Sequence, residues 1–311
     1  MDHVSTAGTY QSALLNLYIA QNRQNDAAAQ ISSGKIATDL KGYAGNAEKL
    51  TAAKSLAART KSYIDNSSAI TDRLSMQDTA MSQLGDASQA ARDAIASVIA
   101  SGDATPLMSG LQTEMSSAAS ALNTQFNGRY LFGGGQTSTQ PFTGTQLSDL
   151  TSAPSIASLF KNDQLSSTSR IDDNTVLNTG FVANNLGTPL MQALQTIEIY
   201  NQGPNGPLTG KLTQAQQDFL QGVLAQFDTA TSGITDATAA NGNLEKKVTD
   251  NQTALENRQT TLENVIGDIS NADMAQAISN LQLAQVAVQA SAQVFSKLQG
   301  SSLLNVLSSG A

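Results

Sequence analysis

The 311-residue chain has no cysteine, no tryptophan and one histidine, and only 14% of its residues are charged. Without cysteine it forms no disulfides and no thiolate metal sites. The lone His3 stands near a terminus with no second histidine, so imidazole catalysis and zinc ligation both lack their partners. A solvated tail is the plain reading of that residue. Charged residues fall well below the roughly 25% of typical globular chains. Ser, Thr, Asn and Gln take their place, and surfaces so poor in ions can be buried between subunits without desolvating charges. Aromatic residues make up 5% of the chain, and a 40% hydrophobic content is weighted toward alanine. That composition builds thin helix–helix seams more readily than one thick core.

Long apolar runs are missing as well. No stretch approaches the ~18 residues of a membrane span. Residues 13–20 are a short apolar segment interrupted by Asn16, with no basic leader, so no secretory signal is visible. On these grounds the chain reads as soluble and cytoplasmic unless a dedicated export route carries it out. Basic residues number 17 against 25 acidic ones, giving a net charge of −8. They are scattered singly, which argues against nucleic acid and against an anionic membrane surface.

What is present is helical periodicity. Length alone suggests about two domains. A first helical pattern covers about 9–33, with Thr9 as cap, Gly34 as stop and Leu14, Leu17, Ala28 and Ile31 on one face. Its middle, residues 21–26, is polar and gives little burial. After a loop over 35–45, a long helix is expected from 47 to 100. Its seam steps through Leu50, Ala53, Ala57, Ile64, Leu74, Met81, Leu84, Ala91, Ile95 and Val98, with Thr71 and Ser88 as weak points. Another helix carries Leu107, Leu111, Ala118 and Leu122. From Gly128 to about 187, Thr, Ser, Asn and Asp dominate, and short strands and loops are expected. Helical pattern returns after Pro189. A second long helix over 213–269 carries Leu220, Val223, Phe227, Ile234, Leu244, Val248, Leu255, Leu262 and Ile269.

The last helix, about 272–307, has two apolar faces. One holds Met274, Ile278, Leu281, Val288, Phe295 and Leu298; the other holds Leu283, Val286, Ala290 and Val294. A helix apolar nearly all round is a buried one, and within this chain only the N-terminal segment is left to cover it. The remaining cover must come from further copies. The expected fold is mainly α: an elongated rod of long antiparallel coiled-coil helices from both chain halves, with a small β-rich central insert. The expected division is 1–38 with 270–311 as a terminal assembly domain, 39–127 with 190–269 as a coiled-coil rod, and 128–189 as an outer insert. The assembly interface is expected at Leu14, Leu17, Tyr18, Ile31, Ile278, Leu281, Val288, Phe295, Leu298, Leu303 and Leu304, as a contact between subunits.

No constellation of residues carries catalysis. Gly133-Gly134-Gly135 lacks the Lys-Ser/Thr of a phosphate loop and opens no helix, so a hairpin turn is expected there. Asp172-Asp173-Asn174 lacks the glycine and distal glutamate of a calcium loop. Tyr130 and Phe132 share a strand face and are expected to anchor the hairpin on the helices. No cofactor or metal is expected.

The two ends carry a resemblance. Ile31-Ser32-Ser33-Gly34-Lys35 is similar to the turn after the first helix of the bacterial flagellin family. Asn271-Ala272-Asp273-Met274-Ala275-Gln276-Ala277-Ile278-Ser279, continuing into Ala290-Ser291-Ala292-Gln293-Val294-Phe295-Ser296-Lys297-Leu298, resembles its C-terminal polymerisation helix. Asn127-Gly128-Arg129-Tyr130-Leu131-Phe132-Gly133-Gly134, the downstream Pro141-Phe142 and the closing 302–307 are more similar to the hook–filament junction members than to bulk filament subunits. After the turn the family often carries an Arg and a paired Asp-Asp; here Ile36-Ala37-Thr38-Asp39-Leu40 stands instead, so no packing contacts carry over to this loop. The resemblance implies a non-enzymatic homo-oligomeric subunit of the bacterial flagellum, extracellular and exported unfolded without a cleaved signal. It implies a hook-side junction subunit below, flagellin above, a cytoplasmic export chaperone and the flagellar export apparatus as partners. A bulk filament flagellin, or a surface protein binding polysaccharide or host through the insert, is the alternative.

Overall fold

The computed structural model describes the backbone of residues 2–308 and the side chains of residues 8–298. It is mainly α-helical, with two small antiparallel two-stranded sheets in the middle of the chain. The chain divides into two compact units, residues 1–59 with 257–311 and residues 60–256.

In the first unit, α1 (Asp2–Ser33) runs antiparallel to α8 (Met274–Ser308). It begins earlier than Thr9, and it stops where the sequence says it should. Gly34 takes a left-handed φ of +67°, and its N–H returns to the Gln30 carbonyl at 2.9 Å. That closes the helix in the conformation glycine adopts without a Cβ penalty. Asp39 then accepts from the Gly42 N–H at 3.1 Å and starts a 3-10 helix, Leu40–Asn46.

The second unit holds the main core. It takes in most of α2 (Ala47–Ser101) and α7 (Gln214–Ser270), whose ends belong to the first unit. The seam periodicity of 3–4 residues works as a packing rule here. Met81, Leu84, Ala91, Ile95 and Val98 of α2 are buried in one cluster with Leu220, Val223, Phe227 and Ile234 of α7. Ser88 and Thr231 share a 2.8 Å hydrogen bond, Arg92 pairs with Asp228, and Gln252 reaches Ser68 at 3.4 Å, which fixes the antiparallel sense. The helix α3 (Leu107–Leu122) adds Leu107, Leu111, Met115, Ala118 and Leu122 to the same core.

The middle of the chain departs from expectation in three places. The hairpin β1 (Gln125–Phe126) to β2 (Arg129–Tyr130) turns at Asn127-Gly128, not at the three glycines. Both turn residues have positive φ, +50° and +74°, the geometry that suits the twist of a two-residue hairpin. Gly133 instead bridges to Val182. Two short helices, α4 (Leu147–Ser152) and α5 (Ile156–Leu159), occupy a stretch expected to hold strands and loops. Finally, α6 (Ala183–Gln202) starts before Pro189 and carries it inside the helix. Leu186, Leu190, Met191 and Leu194 are all buried in the main core, and that tertiary burial outweighs a lost backbone donor. The remaining strands, β3 (Thr168–Arg170) and β4 (Val176–Asn178), pair antiparallel with Ser169 opposite Leu177.

Candidate assembly interface

The α1–α8 pair is held at two levels. At one end Ala272 donates to the Gly34 carbonyl at 3.0 Å and Ile36 to the Ser270 carbonyl at 2.8 Å. Lys35 Nζ adds bonds to Asn271 Oδ1 at 2.7 Å and Ser270 Oγ at 3.2 Å. Toward the other end the rings of Tyr10 and Phe295 meet at 4.9 Å. Between these levels the seam is built on alanine. Ala13, Ala20 and Ala27 of α1 are buried, and so are Ala277 and Ala284 of α8. Each set repeats every seven residues, the spacing of a coiled-coil seam.

A methyl-wide seam has a consequence for its larger neighbours. Leu17 and Ile31 of α1, and Leu281, Val288, Phe295 and Leu298 of α8, share the seam face and are only half-buried. Leu14 and Tyr18 lie ~100–140° round the helix from Ala13 and stay exposed, at 47% and 60%. The single face expected for Leu14 with Leu17 and Ile31 therefore splits: Leu17 and Ile31 turn to α8, Leu14 away from it. Ile278 is likewise 46% exposed, and the far side of α8 presents Leu283 at 66% and Val286 at 64% with Val294. Leu303 and Leu304, and His3, lie outside the residues whose side chains are described. Both helices thus carry a second apolar face opposite their common seam. Lys297 is the sole charged residue in the sequence of α8, so covering the outer face of α8 desolvates almost no ions.

Two exposed residues escaped the sequence reading, Leu15 and Ile19. Their signal was the doublets Leu14-Leu15 and Tyr18-Ile19, which widen an apolar stripe on the side away from the seam. The alanine seam was missed too, although its seven-residue spacing was in plain sight. One side of the seam forms a groove of about 410 Å³ lined by Arg23, Asp26, Gln30, Asn280 and Leu283 with small residues. Among the described residues no cluster of His, Cys, Asp or Glu could hold a metal ion, and no helix is long and apolar enough to cross a membrane. In the second unit, Phe132 is fully buried in the main core while Tyr130 is half-buried.

Two family models match the chain: the bacterial flagellin N-terminal helical region over residues 4–137 and the C-terminal helical region over residues 224–307. No curated protein matches it. Similar solved structures include a flagellar hook-associated protein from Vibrio parahaemolyticus, at 16% identity and a TM-score of 0.58, over 71% of this chain and 96% of that one. FlgL from Bacillus cereus is similar at 15% identity and a TM-score of 0.52, over 70% of this chain and 99% of that one. FlgL from Xanthomonas campestris gives 14%, 0.53, 70% and 99% for the same measures. At such identities the likeness speaks for the fold, and the family rests on the two terminal regions, whose helices α1 and α8 pair in space. The chain belongs to the bacterial flagellin family and is a structural component of the flagellum, not an enzyme.

Proposed function

We propose that this chain joins hook to filament, polymerising through its paired terminal helices. The observation that carries this reading is the second apolar face on both α1 and α8, opposite a seam already filled by alanine. Leu14, Tyr18 and Ile278 start that face. Leu17, Ile31, Leu281, Val288, Phe295 and Leu298 tie the two helices into one unit that can be buried together, and Leu303 and Leu304 extend α8 beyond them. Residues 1–38 with 270–311 act as the assembly part, 39–127 with 190–269 as a coiled coil, and 128–189 as an insert that Tyr130 and Phe132 anchor. The hook-associated solved structures support the junction over the filament body. Its neighbours are then a hook-side junction subunit and flagellin. Before assembly the chain leaves the cell unfolded through the flagellar export apparatus, without a cleaved signal, and a cytoplasmic chaperone covers its C-terminal region. Ordering the ends costs conformational entropy that burial between subunits must exceed.

Immunogold labelling of isolated flagella tests the placement. Label confined to the hook tip is expected. Label along the whole filament would overturn the junction in favour of a bulk filament flagellin.

A further inference from the structure

In the second unit, buried side-chain atoms without a hydrogen-bond partner are gathered in one place. They are Ser67 Oγ, Thr71 Oγ1, Arg73 Nε and Gln77 Oε1 on α2, and Asn241 Oδ1 and Asn251 Oδ1 on α7. Asn241 spends its amide on the Leu74 carbonyl, at 2.9 Å, which leaves its own oxygen unpaired. The apolar content of this stretch is small: Ile70, Leu74 and Val248, helped by Ile171, Leu177 and Leu244, with Leu255 buried at its far end. The main core takes over only at Ala80 on α2 and Ile234 on α7. A helix pair that buries unpaired polar atoms and few apolar ones opens more easily than its surroundings.

The β3–β4 hairpin lies across this stretch and grips both helices. Arg73 donates through Nη2 to Ser169 Oγ at 3.1 Å and to Thr179 Oγ1. Ser169 and Thr179 are themselves buried and share a 2.8 Å hydrogen bond. Asn66 Nδ2 donates to the Arg170 carbonyl at 2.7 Å, and Tyr63 donates to Asp173 at 3.0 Å. On the α7 side, Asn251 Nδ2 donates to Asp172 at 2.9 Å. Ile171 and Leu177 carry the hairpin into the small apolar cluster itself. Burial lowers the pKa of the Arg73 guanidinium, so the two hydroxyls beneath it supply part of the polar contact it has lost.

We propose that the β3–β4 hairpin is a strap that keeps this stretch of α2 and α7 closed, with Arg73 as its latch. Undocking the hairpin then opens residues 60–77 and 241–256 while the core beyond Ala80 and Ile234 stays folded. Arg73 is a positioning residue in this device. It is a mechanical property of the second unit and does not depend on where the chain sits in the flagellum.

Hydrogen–deuterium exchange on the full chain tests it, using Arg73→Met and, separately, Ser169→Ala with Thr179→Val. The second variant leaves the arginine in place and removes its two hydroxyl acceptors together with the hydrogen bond they share. Exchange in 60–77 and 241–256 is expected to rise by about tenfold or more in both variants, as loss of charge-assisted hydrogen bonds implies. Exchange in 84–98, 107–122 and 220–234 is expected to stay within twofold of the wild type. A rise spread evenly over both regions, global unfolding of both variants, or no change under the hairpin would each overturn the strap.

Discussion

The ring of Tyr10 meets the ring of Phe295 at a centroid distance of 4.9 Å and a tilt of 41°. Tyr10 lies in the early part of α1 and Phe295 in the later part of α8. A tilted aromatic pair is worth about 0.5–1.5 kcal/mol beyond its area burial. A double-mutant cycle of Tyr10→Ala and Phe295→Ala, read by unfolding of the monomer, is expected to return a coupling in that range. Zero coupling would mean that the rings do not meet in solution.

Charge on the outer face of α8 should separate folding from assembly. Leu283→Asp and Val286→Asp alter residues that are mostly exposed in the single chain. Monomer stability is expected to shift by no more than about 0.5 kcal/mol, while incorporation into flagella fails because a carboxylate would be buried between subunits. Electron microscopy of flagella from the variant strain, beside a melting curve of the purified monomer, makes the comparison. Normal incorporation would remove this face from the assembly interface.

The seam face should behave in the opposite way. Ala20 is buried against α8, and Ala20→Leu adds three carbons where a methyl fits. Overpacking of this kind costs about 1–3 kcal/mol, so the monomer itself is expected to lose stability. An unchanged melting temperature would show that the two helices separate freely.

Acid should weaken the second unit through four aspartates. Asp149 accepts N–H donations from Thr145 and Gln146, Asp163 from Gly135 and Leu165, and Asp103 accepts the Thr105 hydroxyl and N–H; each is held below the usual carboxylate pKa by these bonds. At Asp172 burial raises the pKa, but donations from Asn174, Thr175 and Asn251 outweigh it. A depressed folded-state pKa adds stability above the unfolded value, and this is lost as pH falls through the folded one. Melting temperature is therefore expected to be level from about pH 7 to 5 and to drop below about pH 4. Asp149→Asn should flatten part of that drop, and an equal drop in the variant would exclude this carboxylate.

Protease access should report assembly. Arg23 and Lys297 are both exposed in the single chain. Trypsin is expected to cut at both early in monomer and slowly in assembled flagella. Equal rates in the two states would count against burial of the terminal helices.

The long helices were legible because their burial is local and periodic. Leu74, Met81, Leu84, Ile95 and Val98 step along α2 at the spacing that puts them in the core, and Gly34 marks where α1 must stop. The middle of the chain was harder because its structure is decided at a distance. Asp163 reaches back to the N–H of Gly135 at 2.8 Å, and Asn123 bonds the Phe142 backbone on both its amide atoms. No local window contains such pairs. Pro189 reads as a boundary on propensity alone, yet the buried Leu186 and Leu190 on either side carry the helix through it. At the candidate interface the apolar residues were legible, but their division between seam and outer face was not. That division depends on which residues form the seam, and alanine gives a weak hydrophobic signal for a decisive steric role.

That alanine seam bears on how the terminal pair keeps its alignment. Methyl groups seven residues apart are interchangeable, so sliding one helix by a heptad, about 10.5 Å, would set alanine against alanine again. Among the described residues, the half-buried Leu17, Leu281 and Val288 are what the middle of the seam sets against such a shift. The stops are at its limits: the backbone bonds between Gly34 and Ala272, the Lys35–Asn271 contact, and the Tyr10–Phe295 rings. The pair is thus a smooth track with indexed ends, and a neighbouring molecule that competed for those few contacts could reset its register without unwinding either helix.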